Sequence, residues 1–208
     1  MIKYPYAAKG IKLLFVSELI NIAATIISNF PTLEIFGNVI LIISLLIAFA
    51  GIYIARQDRM TGYTGAMNLT FASIVIAVLQ LVIDTNSVNV TNAIIATVST
   101  ISIYGSIYFV CTATSKLLRD VNNFSTADLG LKVWHLMKIF LILSIFCCVF
   151  MFIAIFNSTL LKILTIGMIV MIVLSVISSI MYLVFLNKSS KSLSIPSSDF
   201  DANGNLCI

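Results

Sequence analysis

The chain alternates long stretches without charge and short polar joints. No Asp, Glu, Lys or Arg occurs in 35–55, 65–83, 85–115, 139–161 or 163–187. Each stretch is close to or longer than the roughly 20 residues that carry a helix across about 30 Å of hydrocarbon. None shows the alternating segments of about 10 residues that a transmembrane barrel strand requires. Helices, which satisfy their backbone groups internally, are the remaining spanning solution. A sixth, weaker span covers 13–28 and is interrupted by Glu18. Lys3, Lys9 and Lys12 before it resemble the basic region of a signal peptide, but Glu18 breaks the apolar run, so a retained helix is expected. The pattern thus predicts helices at about 11–29, 35–55, 65–83, 92–118, 126–156 and 163–187. They form a transmembrane domain over 1–187, followed by a Ser-rich, flexible tail at 188–208. The fold class is all-α, a polytopic bundle.

Charge fixes the expected orientation. Charged residues make up 10% of the chain, against about 25% in a soluble domain. With six spans, one side receives Lys3, Lys9, Lys12, Arg56, Arg59, Lys116, Arg119, Lys132, Lys188 and Lys191, with Lys138 leaning the same way. The other side receives Lys162. The positive-inside rule then places both termini in the cytoplasm of a protein of the cell membrane. Tyr4, Tyr6, Tyr53, Tyr63, Tyr108, Trp134 and Tyr182 fall near the same ends, as an interfacial aromatic belt would. The net charge of +4 sits beside span ends, so it points to the lipid bilayer as partner and not to nucleic acid. Cys111, Cys147, Cys148 and Cys207 form no C-x-x-C and read as small packing residues.

An internal repeat groups the spans into three parallel helical hairpins. Lys9-Gly-Ile-Lys12 opens the first helix, Thr64-Gly65-Ala66-Met67 the third and Leu129-Gly-Leu-Lys132 the fifth. Gly10 to Tyr53 and Gly65 to Tyr108 are both 43 residues apart, and Gly130 to Tyr182 is 52. Eight residues past the three glycines stand Glu18, Ser73 and Lys138. An acid within a span is rare and usually faces the bundle interior. Glu18, Asn21, Thr25 and Ser28 form one stripe of the first helix, with Ser17 outside it. The expected polar site is therefore Glu18, Asn21, Ser73, His135 and Lys138, with Glu18 and Lys138 paired between the first and fifth helices, since a partner relieves a charge in low dielectric. Ser44, Ala48, Gly51 and Ala55 form a small-residue stripe on the second helix, the kind that lets membrane helices approach closely. Hydroxyl faces on the fourth helix (Thr97, Thr100, Tyr104, Tyr108) and the sixth (Ser175, Ser178, Ser179, Tyr182) are expected to hydrogen-bond across helices.

Other motifs add little. Ser125-Thr126-Ala127-Asp128 reads as the cap and first turn of the fifth helix, after a turn at Asn122-Asn123. Asp199 to Asn205 resembles half an EF-hand loop but lacks the position-12 acid. Asn89-Val-Thr91 and Asn157-Ser-Thr159 match the glycosylation sequon. A single histidine excludes a multi-His metal site, and no phosphate loop or nucleophile elbow occurs. No enzyme, metal or cofactor is expected; an intramembrane enzyme is the least favoured reading.

The opening Tyr4-Pro-Tyr-Ala-Ala-Lys-Gly-Ile-Lys12, with the three-hairpin layout, resembles an uncharacterised family of small six-span bacterial membrane proteins. That resemblance implies the topology and no activity. Size, span number and inside termini are also similar to the substrate-binding subunits of energy-coupling-factor vitamin transporters, a likeness of fold alone. Two functions are expected from these features. The first is an interaction or assembly protein that meets an integral membrane partner, or a second copy of itself, through helix faces. The second is a small solute transporter or transporter subunit with a polar cavity near the membrane midplane.

Overall fold

The computed structural model describes residues 3–58, 62–82, 90–154 and 158–195. Among these the chain forms α1 (Pro5–Ser28), α2 (Glu34–Arg56), α3 (Gly62–Val82), α4 (Val90–Asp120), α5 (Phe124–Ala154) and α6 (Ser158–Leu193), with a 3-10 turn at Pro31–Leu33. All six helices carry a segment long and apolar enough to cross a membrane, which fits a multi-pass membrane protein. The bundle is all-α. Each helix packs on its neighbours in sequence, and α6 returns to α1, so the helices close a ring with a minor cross-contact between α4 and α6.

The hairpins of the repeat, α1–α2, α3–α4 and α5–α6, are each packed along their own seam. Their three register glycines sit on those seams. A Cβ on Gly10 would lie 2.3 Å from the Gly51 carbonyl oxygen and 2.7 Å from Ala55. A Cβ on Gly65 would meet the Phe109 ring, and one on Gly130 the Phe185 ring. The α2 stripe is therefore spent inside the bundle: Gly51 and Ala55 receive α1, and Ser44 and Ala48 face inward beside them.

The helix ends explain the boundaries. Pro5 stands in the first turn of α1, where its missing N–H removes no bond. Tyr4 provides no side-chain cap. Instead Asp58, beyond the end of α2, accepts the Ala7 N–H at 2.6 Å, so an acid from the far end of the hairpin caps α1 and suits its positive end. That lets α1 start six residues before the expected 11. Between α4 and α5, Asn122 takes the left-handed conformation at φ 60°, which Asn tolerates. Asn123, not Ser125, caps α5: its Oδ1 accepts the Thr126 N–H at 3.1 Å, while its Nδ2 donates to Ser192 Oγ at 2.8 Å.

The bond to Ser192 corrects the expected tail. The chain from 188 is helical to Leu193, because Ser189, Ser192 and Leu193 are buried against the bundle. Serine-rich composition resembles a linker, but on a helix small side chains permit close packing. The tail motif at 199–205, Arg59, Asn89 and Asn157 lie outside the described residues, as do the side chains of Cys147 and Cys148.

The best-packed layer lies near the basic end. Ile11, Ile52, Tyr63, Val110, Leu117, Leu118, Val133, Phe185 and Leu186 are fully buried there. Tyr63 and Thr114 share a hydrogen bond of 2.8 Å between α3 and α4, and Ser115 donates to the Ala127 carbonyl of α5 at 2.9 Å. At the surface of this end, Lys3 pairs with Asp120 at 2.8 Å and the Tyr4 hydroxyl donates to the same carboxylate. Arg119 pairs with Asp128 at 3.0 Å. These contacts join the start of the chain to the α4–α5 turn.

Candidate functional site

The bundle leaves a cavity of about 90 Å³ below the packed layer, mainly apolar in lining but with several polar side chains. Glu18 and Asn21, three residues apart on α1, both enter it. Ser73 comes from α3, so three of the expected site residues converge here. The remaining lining was not anticipated as a set: Ser17 of α1, Ser44 of α2, Thr70 of α3, Ser106 of α4 and Tyr182 of α6. Apolar walls are formed by Leu14, Leu41, Ile52, Ile103 and Val110. The space is enough for a few water molecules. Pockets for drug-sized ligands measure roughly 300 Å³ or more, so this space is small beside them.

Hydrogen bonding decides what this lining can offer. Ser17 Oγ donates to the Leu14 carbonyl at 2.8 Å, Ser44 Oγ to Leu41 at 2.7 Å and Ser73 Oγ to Leu69 at 3.0 Å. Each hydroxyl has one proton, and each is already committed to its own helix. What remains on each oxygen is lone pairs. Thr70 and Ser106 share one bond of 2.7 Å, and Ser106 also reaches the Ala66 carbonyl at 3.3 Å. Around the one carboxylate of the lining, the serine and threonine hydroxyls therefore offer mainly acceptors, with the Asn21 amide and the Tyr182 hydroxyl as donors.

The expected pair of Glu18 and Lys138 does not form. Among the described residues the ion pairs are Lys3–Asp120 and Arg119–Asp128, and Lys138 is exposed on α5. His135 is exposed on the same helix. The reason is packing order: α5 rests on α4 and α6, so it contributes nothing to the cavity wall. Lys138 can extend its head along the bundle surface towards the membrane boundary. Sequence offset gives the height of a residue in a repeat, but not the direction its helix turns.

The stripe of α1 also splits. Glu18 and Asn21 face the cavity, whereas Thr25 is exposed and donates back to the Asn21 carbonyl at 2.9 Å. Ser28 packs where a Cβ on Gly37 would touch it at 2.7 Å, closing the far end of the first hairpin. The hydroxyl faces of α4 and α6 behave differently from expectation. Thr100 and Ser178 bond back to Ala96 and Leu174 on their own helices. Tyr108 stacks beside Trp134 at 4.6 Å, and Tyr104 beside Phe140 at 5.2 Å. Ser106, Thr114 and Ser115 of α4 do make cross-helix hydroxyl bonds.

A second opening of about 210 Å³ lies between α2 and α3 towards the end opposite the lysines, with Glu34, Asn38, Ala77, Gln80 and Leu81 around it. Leu41 lines both spaces. Leu41 therefore stands between a polar mouth containing an acid and the cavity containing Glu18.

No family model, curated protein or solved structure matches this chain. The resemblance of its opening segment to a six-span bacterial family rests on those residues alone. Functional evidence therefore lies in the geometry of the cavity.

Proposed function

We propose that the protein is a non-enzymatic carrier or carrier subunit of the cell membrane that takes a proton or small monovalent cation at Glu18. The basic end faces the cytoplasm in this reading, following the charge asymmetry. The carrying observation is the acceptor-rich lining around a single intramembrane carboxylate. A buried charge without a partner is costly, and oxygen lone pairs can share a bound cation or proton donor with it. The small volume favours an ion or a solute of a few atoms over a metabolite. The polar mouth at Glu34 and Asn38 supports entry from the side opposite the lysines, with Leu41 as the barrier.

The interaction reading relied on the α2 stripe, which Gly10 of α1 already fills. A partner or second copy would have to use another face.

The test is thermal unfolding of the purified full chain in detergent across a series of sodium, potassium and ammonium chlorides, with choline chloride as the ionic-strength control, repeated at several pH values. A bound ion at 100 times its Kd stabilises by about 2.7 kcal/mol, enough to move the midpoint by several degrees. The wild type should respond selectively to one cation or to pH, and Glu18→Gln should lose that response. Identical behaviour of wild type and Glu18→Gln under every condition would refute the assignment.

A further inference from the structure

A separate groove runs between the basic ends of α1 and α6, with a volume of about 340 Å³. Lys9 and Lys12 come from α1 and Lys191 from α6. Asn187 and Ser190 line it from α6, and Phe15 marks its membrane-facing end. No carboxylate lies among its lining residues, and neither ion pair of the described residues involves these lysines. Elsewhere at this end, Lys3 and Arg119 have acids. The groove therefore concentrates three positive charges that no carboxylate among the described residues neutralises.

Its place in the fold selects the ligand. The lysines stand at the ends of two spans, the level of lipid headgroups. Seven residues deeper on each helix, on the same face, are Leu19 and Val184, both surface-exposed. That is about 10 Å into the membrane at 1.5 Å per residue. A molecule filling both regions needs an anionic head with hydrogen-bond acceptors and an apolar body running along the helices. Basic pockets between helices at a membrane boundary fit phosphate headgroups.

We propose that the α1–α6 groove is a binding site for an anionic phospholipid, with Lys9, Lys12 and Lys191 holding its phosphate and Asn187 and Ser190 donating to the headgroup oxygens. The site is independent of the cavity around Glu18. A lipid here bridges the first and last helices and so fastens the seam that closes the ring.

The experiment is native mass spectrometry of the full chain released from micelles holding equal phosphatidylglycerol and phosphatidylcholine. Wild type should retain phosphatidylglycerol preferentially. Each lysine near a surface changes affinity about five-fold, so Lys9→Gln, Lys12→Gln and Lys191→Gln together should weaken retention by about two orders of magnitude. Lys116→Gln, Lys132→Gln and Lys188→Gln remove equal charge from exposed positions at the same end and should retain the lipid as wild type does. Should the groove triple variant fail to fold by circular dichroism, Lys12→Gln alone should show the five-fold loss. No lipid preference in wild type, or equal losses in both triple variants, would overturn the site. Displacement of the lipid by millimolar inorganic phosphate would assign the lysines to free phosphate and overturn the lipid assignment.

Discussion

The two halves of the bundle are built differently. Near the basic end, Tyr63, Leu117, Phe185 and their neighbours are fully buried, and four chain segments meet through capping, ion pairing and side-chain hydrogen bonds. Towards the other end, among the described residues, Phe30, Ile35, Phe36 and Ile94 point outward, and a polar opening lies between α2 and α3. In water such a half would be unstable. In a bilayer an outward isoleucine loses nothing, because lipid is as apolar as the core, and stability comes from packing and hydrogen bonds. In the proposed reading, the membrane permits one end to be closely packed while an opening remains between α2 and α3 towards the other, as a one-sided ion site would require.

The largest test of that contrast compares two phenylalanines. Phe185→Ala opens a cavity in the closely packed half and should cost about 3–5 kcal/mol, seen as a large fall in the unfolding midpoint. Phe36→Ala removes an outward ring and should stay within about 0.5 kcal/mol of wild type. Equal losses would mean that the two halves are packed alike.

Asp58→Ala sharpens the comparison at one contact. It leaves the Ala7 N–H without its carboxylate and should destabilise by about 1 kcal/mol, the usual size of a lost helix cap. Hydrogen exchange should rise in the first turn of α1 and stay unchanged around Glu34. Unaltered exchange at both places would show that the cap does not hold this end.

The smallest effect is a titration. Burial, then the hydrogen bond to Asp120 and its negative charge, push the Tyr4 hydroxyl up to about 12 from an ordinary 10. A raised folded pKa favours the protonated form, so the contribution of this contact is complete below pH 10 and lost as pH rises towards 12. The difference in phenolate absorbance between wild type and Tyr4→Phe should rise near pH 12. A midpoint near 10 would show that Tyr4 is free of Asp120.

Much of the architecture was legible from charge-free stretches, whose lengths reveal spans whatever their rotation. The glycine spacing of the repeat located the seams, since close approach demands a missing side chain at those heights. Rotation was harder to read. Lipid-facing and core-facing residues have the same chemistry in a membrane, so periodicity could not tell that Lys138 turns outward while Ser73 turns in. Ser17 was set apart from the stripe of Glu18 because spacing treats a helix face as narrow, whereas this cavity wraps around α1. Thr70 and Ser73 are a buried hydroxyl pair at helical spacing and both line the cavity, a usable signal for the α3 wall. The mouth at Glu34, Asn38 and Gln80 depends on contacts between α2 and α3 that no single helix encodes.

The contacts of Lys3 and Tyr4 with Asp120 have a consequence for biosynthesis. They join residues 117 and 116 positions apart, so Lys3 and Tyr4 wait for more than a hundred further residues to be made before this neighbour exists. At about 5–20 residues per second that delay is on the order of ten seconds. Asp58 comes after only 51 positions and reaches the same helix start much sooner. The nascent first hairpin can therefore be held by one acid early in translation and handed to a second one later, when the fourth helix is complete.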